Sequence, residues 1–80
     1  MEQRKLQIDN RLISHIFGNF DANIKKIEKE YDVTVVNRGD DIVINGDERN
    51  TELAGQVLNA LIRLANNGED ISEQSLNYFI

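Results

Sequence analysis

Eighty residues suffice for one hydrophobic core, and 40% hydrophobic with 29% charged residues is an ordinary composition for a globular domain. No apolar run nears the ~20 residues of a membrane helix, Met1-Glu2-Gln3-Arg4-Lys5 is not an apolar signal segment, and the absence of cysteine excludes disulfides and thiolate metal sites. A formal net charge of −5 excludes attraction of the whole chain to a polyanion, so nucleic-acid binding would need a local basic face.

In chain order, Lys5-Leu6-Gln7-Ile8 alternates polar and apolar residues as a short half-buried strand does. Asp9 or Asn10 then caps a helix over about 10–17, where Leu12, Ile13, Ile16 and Phe17 recur at helical spacing before Gly18 stops it. Asp21 is a second N-cap candidate. Ile24, Ile27 and Tyr31 form the apolar stripe of a helix over about 22–31, with Lys25, Lys26, Glu28, Lys29 and Glu30 on its outer face. Val33-Thr34-Val35-Val36 and Asp41-Ile42-Val43-Ile44 are β-rich runs separated by Asn37-Arg38-Gly39-Asp40, which predicts a hairpin. A long helix fits about 49–66, with Asn67-Gly68 as its stop. Its apolar residues, from Leu53 and Ala54 through Leu64 and Ala65, cover nearly half the circumference. That width predicts packing on the sheet and on a neighbouring helix together. Ser72 caps a last short helix with Leu76, Phe79 and Ile80 on one face.

The order β-α-α-β-β-α predicts an α+β fold: a three-stranded antiparallel sheet covered by helices on one face, plus a short C-terminal helix. No repeat, low-complexity tract or linker interrupts the chain, so residues 1–80 read as one domain. With Val33, Val35, Ile42 and Ile44 inward, Val36 and Val43 point outward, and a contiguous patch with Leu76 or Phe79 would make a docking surface.

Nothing in the pattern points to an enzyme. His15, the single histidine, has no Cys or second His to share a metal and reads as a helix-surface or partly packed side chain. Asp40-Asp41 and Glu69-Asp70 have no partner for acid–base work and no EF-hand spacing. Arg38-Gly39-Asp40 spells an integrin-recognition tripeptide, yet Gly and Asp are also what a hairpin turn requires, and the turn is the preferred reading.

Phe17-Gly18-Asn19-Phe20-Asp21-Ala22-Asn23-Ile24-Lys25-Lys26-Ile27-Glu28 resembles the helix–loop–helix of type I KH domains. There a G-x-x-G loop joins two helices and an apolar residue falls six positions after the first glycine, as Ile24 does after Gly18. Along essentially its whole length the chain also resembles the N-terminal module of PhoH-family proteins. That likeness is carried by Leu6-Gln7-Ile8, by Phe17-Gly18 with Asp21-Ala22-Asn23-Ile24, by Arg38-Gly39-Asp40-Asp41-Ile42-Val43-Ile44-Asn45-Gly46, and by Ile71-Ser72-Glu73.

In that family a P-loop nucleotidase domain follows. No G-x-x-x-x-G-K-S/T segment occurs here, so the resemblance implies a fragment of a longer, bacterial-type protein. ATP and Mg would belong to the other domain, with no cofactor in this one. The implied activity is weak binding of single-stranded RNA between the Gly18–Asp21 loop and the strand at 33–37. Gly18, Asn19 and Phe20 would sit in the loop, with Phe20 as a stacker and Lys25, Lys26 and Arg38 as phosphate contacts.

Asp21 departs from the motif by replacing its second glycine, and its carboxylate is expected to cap the following helix and occupy the anion site. Plainer readings stand beside these. The lysines can form a solvated face with Glu28 and Glu30, Gly18 can simply end a helix, and Phe20 can fold back as a hydrophobic staple. The second functional reading, favoured by the acidic charge and Asp21, is a protein-interaction or homo-oligomerisation module that positions the P-loop domain. No membrane partner is expected, and the cytoplasm is the expected compartment.

Overall fold

Period-two alternation places Leu6, Val35, Ile42 and Ile44 on one sheet face, and burying that face requires helices above it. A computed structural model describes residues 2–18 and 21–80. The elements are β1 (Glu2–Gln7), a 3-10 turn (Asn10–Leu12), α1 (Ile13–Phe17), α2 (Ala22–Tyr31), β2 (Thr34–Arg38), β3 (Asp41–Gly46), α3 (Glu48–Asn66) and α4 (Glu73–Phe79). The sheet order is β1-β3-β2, antiparallel on both sides of β3. Ile42 and Ile44 on the middle strand are fully buried, with Ile16, Ile27, Leu58 and Leu61 from three helices in the same core. The wide apolar arc of α3 has the expected cause, for the helix touches β1 and β3 and also α1, α2 and α4.

Several boundaries differ from the sequence expectations, each for a local reason. β1 spans 2–7 instead of 5–8. Arg4 takes an inward position opposite Ile44 and lays its aliphatic stem across Gly55 of α3, where a Cβ would come within 3.1 Å of Arg4 Cδ. A long cationic side chain thus fills a place that alternation reserves for an apolar one. Ile8 lies beyond the ladder, buried, with its N–H donating to the Asp40 carbonyl at 2.8 Å. The first helix begins as the 3-10 turn, capped by Asp9, whose carboxylate accepts from Arg11 N–H at 2.9 Å. The hydrogen bonds and charge of Arg11 hold the Asp9 carboxyl down at about 2.

β2 and β3 are longer than the apolar runs, and the hairpin loop shrinks to Gly39-Asp40 with Gly39 at φ +62°. The Asp40 carboxylate accepts from Asn10 Nδ2 at 2.6 Å, so Arg38-Gly39-Asp40 is the end of β2 and a two-residue turn tied to the segment after β1.

Val43 also departs from expectation. It lies on the open sheet face yet is only 1% exposed, because Lys5 and Val36 flank it on the neighbouring strands. Val36, on the edge strand, is 39% exposed. Leu76 is buried and Phe79 is packed against the core, so the valines form no patch with α4.

Gly55 supplies a test of this packing. A helix-interior glycine costs roughly 0.5–1 kcal/mol relative to alanine, and the one close neighbour is the flexible end of Arg4. Gly55→Ala should therefore raise the thermal midpoint by a few degrees. A lowered midpoint would show that the Arg4 stem cannot yield.

Candidate nucleic-acid interface

The end of α1 and the edge of β2 face each other across a groove of about 560 Å³. Ile13, Ser14 and Phe17 line it from α1, Gly18 and Asp21 from the connection, and Val35, Val36 and Asn37 from β2. The lining mixes apolar Ile13, Phe17, Val35 and Val36 with polar Ser14, Asp21 and Asn37. This is the space between the Gly18–Asp21 loop and the strand at 33–37 that the motif reading marked out.

Gly18 ends α1 with φ +80° and donates its N–H to the Ser14 carbonyl at 3.0 Å. A Cβ there would lie 2.9 Å from Asn23 Nδ2. Asn23 needs that space, because its Nδ2 donates to the Ile16 carbonyl at 3.1 Å and fastens the first turn of α2 to the last turn of α1. Asn23 stood inside the motif in the sequence, but nothing in composition or spacing marked it as the clasp. Asn19 and Phe20 fall outside the described residues.

Asp21 corrects the capping expectation. It sits at φ 59°, ψ 27°, in the left-handed region, and makes no side-chain cap to α2. Asp9 and Ser72, which do cap, have extended backbones at φ −70°, ψ 124° and φ −91°, ψ 165°. An N-cap side chain reaches the first-turn amides from such an extended backbone, and the left-handed one takes it away. Asp21 therefore adopts the conformation a glycine would, and its own side chain does not cap α2's leading amides. Its N–H donates to the Gly18 carbonyl at 3.2 Å.

On α2, ~100° per residue places Asp21, Lys25 and Glu28 along the flank nearest β2. Glu28 fixes that orientation, since its Oε2 accepts from Val35 N–H at 2.8 Å. Helical spacing in the sequence puts Glu28 on the solvated face. It is half-buried instead, and only the pairing of an edge strand beside it reveals why. Lys25 is exposed on the groove side. Lys26 is half-buried and donates from Nζ to Asn77 Oδ1 of α4, about 100° farther round the helix. Arg38 is exposed at the end of β2, one residue past the groove-lining Asn37, on the open sheet face. His15 is exposed on α1, and no group of three metal-ligating side chains occurs among the described residues.

A KH domain family model matches residues 3–60. The chain belongs to the KH domain family. The solution structure of the 13th KH type I domain from human Vigilin superposes with a TM-score of 0.67 at 25% identity, covering 89% of this chain and 82% of that one. A PhoH-like protein of Bacillus subtilis is 32% identical over 77 residues, 96% of this chain. The chain spans only 24% of that relative's length. A KH domain is a non-catalytic, nucleic-acid-binding fold, and here it carries α4 as an added C-terminal helix.

The geometry of Asp21 changes what its replacement should do. Glycine takes φ 59° without steric cost, so Asp21→Gly should leave unfolding free energy within about 1 kcal/mol of the parent. A clear loss of stability in a denaturant titration would restore the capping role. Removing the carboxylate should also strengthen binding of a phosphate by about threefold, the effect of one charge some ~6 Å away in water.

Proposed function

We propose that residues 1–80 are an accessory domain of a longer PhoH-like protein and bind single-stranded RNA weakly in the groove between α1 and β2. The observation that carries this reading is a groove lined by the apolar Ile13, Phe17 and Val35 beside the start of α2, where Asp21 makes no side-chain cap. Bases would lie against Ile13, Phe17 and Val35, while a phosphate would approach the first-turn amides of α2, which favour negative charge. Lys25 and Arg38 flank this path. Gly18 keeps the backbone open there, and Asn19 and Phe20 belong to the same connection in sequence. Lys26 takes a smaller part because its ammonium is engaged with Asn77.

Weakness follows from charge. Asp21 and Glu28 bracket Lys25 on the same flank, and the chain as a whole carries −5. ATP and Mg are assigned to the further domain of the same protein, no cofactor to this one, and the cytoplasm is the compartment proposed. No helix is long and apolar enough to cross a membrane among the described residues.

A second reading, an interaction or homo-oligomerisation module that positions the P-loop domain, draws on Tyr78. This residue is 83% exposed on α4 and stacks edge-on against Phe79 with ring centroids 5.3 Å apart.

Titration of labelled single-stranded RNA at low and physiological salt separates the two. Two phosphate contacts should weaken binding about sevenfold between 50 and 200 mM salt, from a slope of roughly −0.7 per contact. Lys25→Ala should remove about half of that slope, and Lys26→Ala should leave it nearly unchanged. Absence of saturable binding at low salt would favour the interaction module.

A further inference from the structure

β2 is an edge strand, paired with β3 on one side only. Along such an antiparallel strand, alternate residues turn N–H and C=O away from the partner strand. Val35 is one of these, since its N–H leaves the sheet and donates to Glu28 Oε2. Val35 also lines the groove, with Phe17 and Ile13 opposite. A backbone donor at the groove wall is thus already held by a carboxylate of the domain itself.

We propose that Glu28 is an internal competitor that holds one donor of the β2 edge, so that a base of a bound single strand reaches Val35 N–H only when Glu28 lets go. This inference rests on the RNA-binding reading and adds to it the residue that sets affinity.

Three features make Glu28 suited to the task. Its backbone is fixed, because its carbonyl accepts from Val33 N–H at 3.2 Å, so the side chain can release without any change in α2. Its carboxylate makes a charge-assisted bond, stronger than the bond a neutral base nitrogen or carbonyl would make to the same amide. It is only half-buried, so the released carboxylate can be hydrated. A base therefore has to displace a better acceptor than itself, and the exchange lowers affinity.

Because removing Glu28 also removes a negative charge, the test must separate the bond from the charge. Glu28→Asp keeps the charge on a side chain one methylene shorter, which does not span to Val35. Glu28→Gln discards the charge and keeps an acceptor for Val35 N–H. Each variant is titrated with labelled single-stranded RNA at low salt, with Glu30→Ala as a charge control on the same helix and circular dichroism confirming the fold.

Glu28→Asp should bind roughly three- to tenfold tighter than the parent, the value of one hydrogen bond no longer contested. Glu28→Ala should gain more than Glu28→Gln. In the parent, saturating RNA should shift the Val35 amide resonance. If Glu28→Asp binds no tighter while the parent binds with salt dependence, the competitor role is overturned and the RNA reading stands. If no variant binds at all, both are overturned. If the variants gain affinity for an extended peptide and not for RNA, the edge of β2 serves strand addition and the proposal is overturned in that form.

Discussion

Burial of Ile42 and Ile44 between the sheet and α3 holds the remaining elements in place. Both side chains are fully buried on the one strand that pairs on both edges. Each contributes on the order of 1.5–3 kcal/mol, against a net stability of roughly 5–15 kcal/mol for a small domain. Because β1 occupies one edge of β3, β2 is left with a free outer edge, and α1 and α2 pack on α3 so that they flank it. The groove is a consequence of this arrangement. It is the gap between an edge strand that cannot be covered completely and a short helix that ends at Gly18.

α2 carries the chemistry of that gap, and its two ends are unusual. Asp21 and Asp32 are the two non-glycine residues with positive φ among the described residues, one at each terminus of the helix. Aspartate tolerates this region better than most residues, because its short polar side chain bonds locally. Between them the helix divides its charges by face. Glu28 turns to β2, Lys26 to α4, and Lys25 stays on the groove side. Elsewhere Arg11 is paired with Asp9 and Arg4 lies over Gly55, so several of the nine basic residues serve structure before any ligand. The domain is acidic overall and has few cations to spare near its groove.

Much of this could be read from residue order. The extent of α2, the cap at Ser72, the turn at Gly39-Asp40 and the face shared by Leu76, Phe79 and Ile80 follow from periodicity and capping chemistry alone. At the end of α3, Gly68 takes φ +77°, and Glu69 N–H reaches back to the Leu64 carbonyl as the Asn67-Gly68 signal implied. What escaped were the places where a side chain does something other than its type suggests. Arg4 acts as an apolar stem, Glu28 as a partner for a strand edge, Asn23 as a clasp, and Asp21 as a stand-in for glycine. Each depends on a neighbour brought close by the fold, and periodicity carries no information about that neighbour. Capping statistics misled at Asp21 because they presuppose an extended backbone, which the tight Gly18–Asp21 connection does not provide.

Low affinity in the isolated domain would not argue against the proposed role for the groove. The Bacillus subtilis relative is about four times as long as this chain, so the domain is compared with a small part of a larger protein. A site joined by a short linker to a second RNA-contacting surface acts at an effective concentration near the millimolar range. Under that condition the proposed groove, flanked by Lys25 and Arg38, would help to hold a strand it could not retain alone. On the proposed function, the carboxylate seated on the β2 edge and the second one at the head of α2 would make a groove that holds a strand lightly.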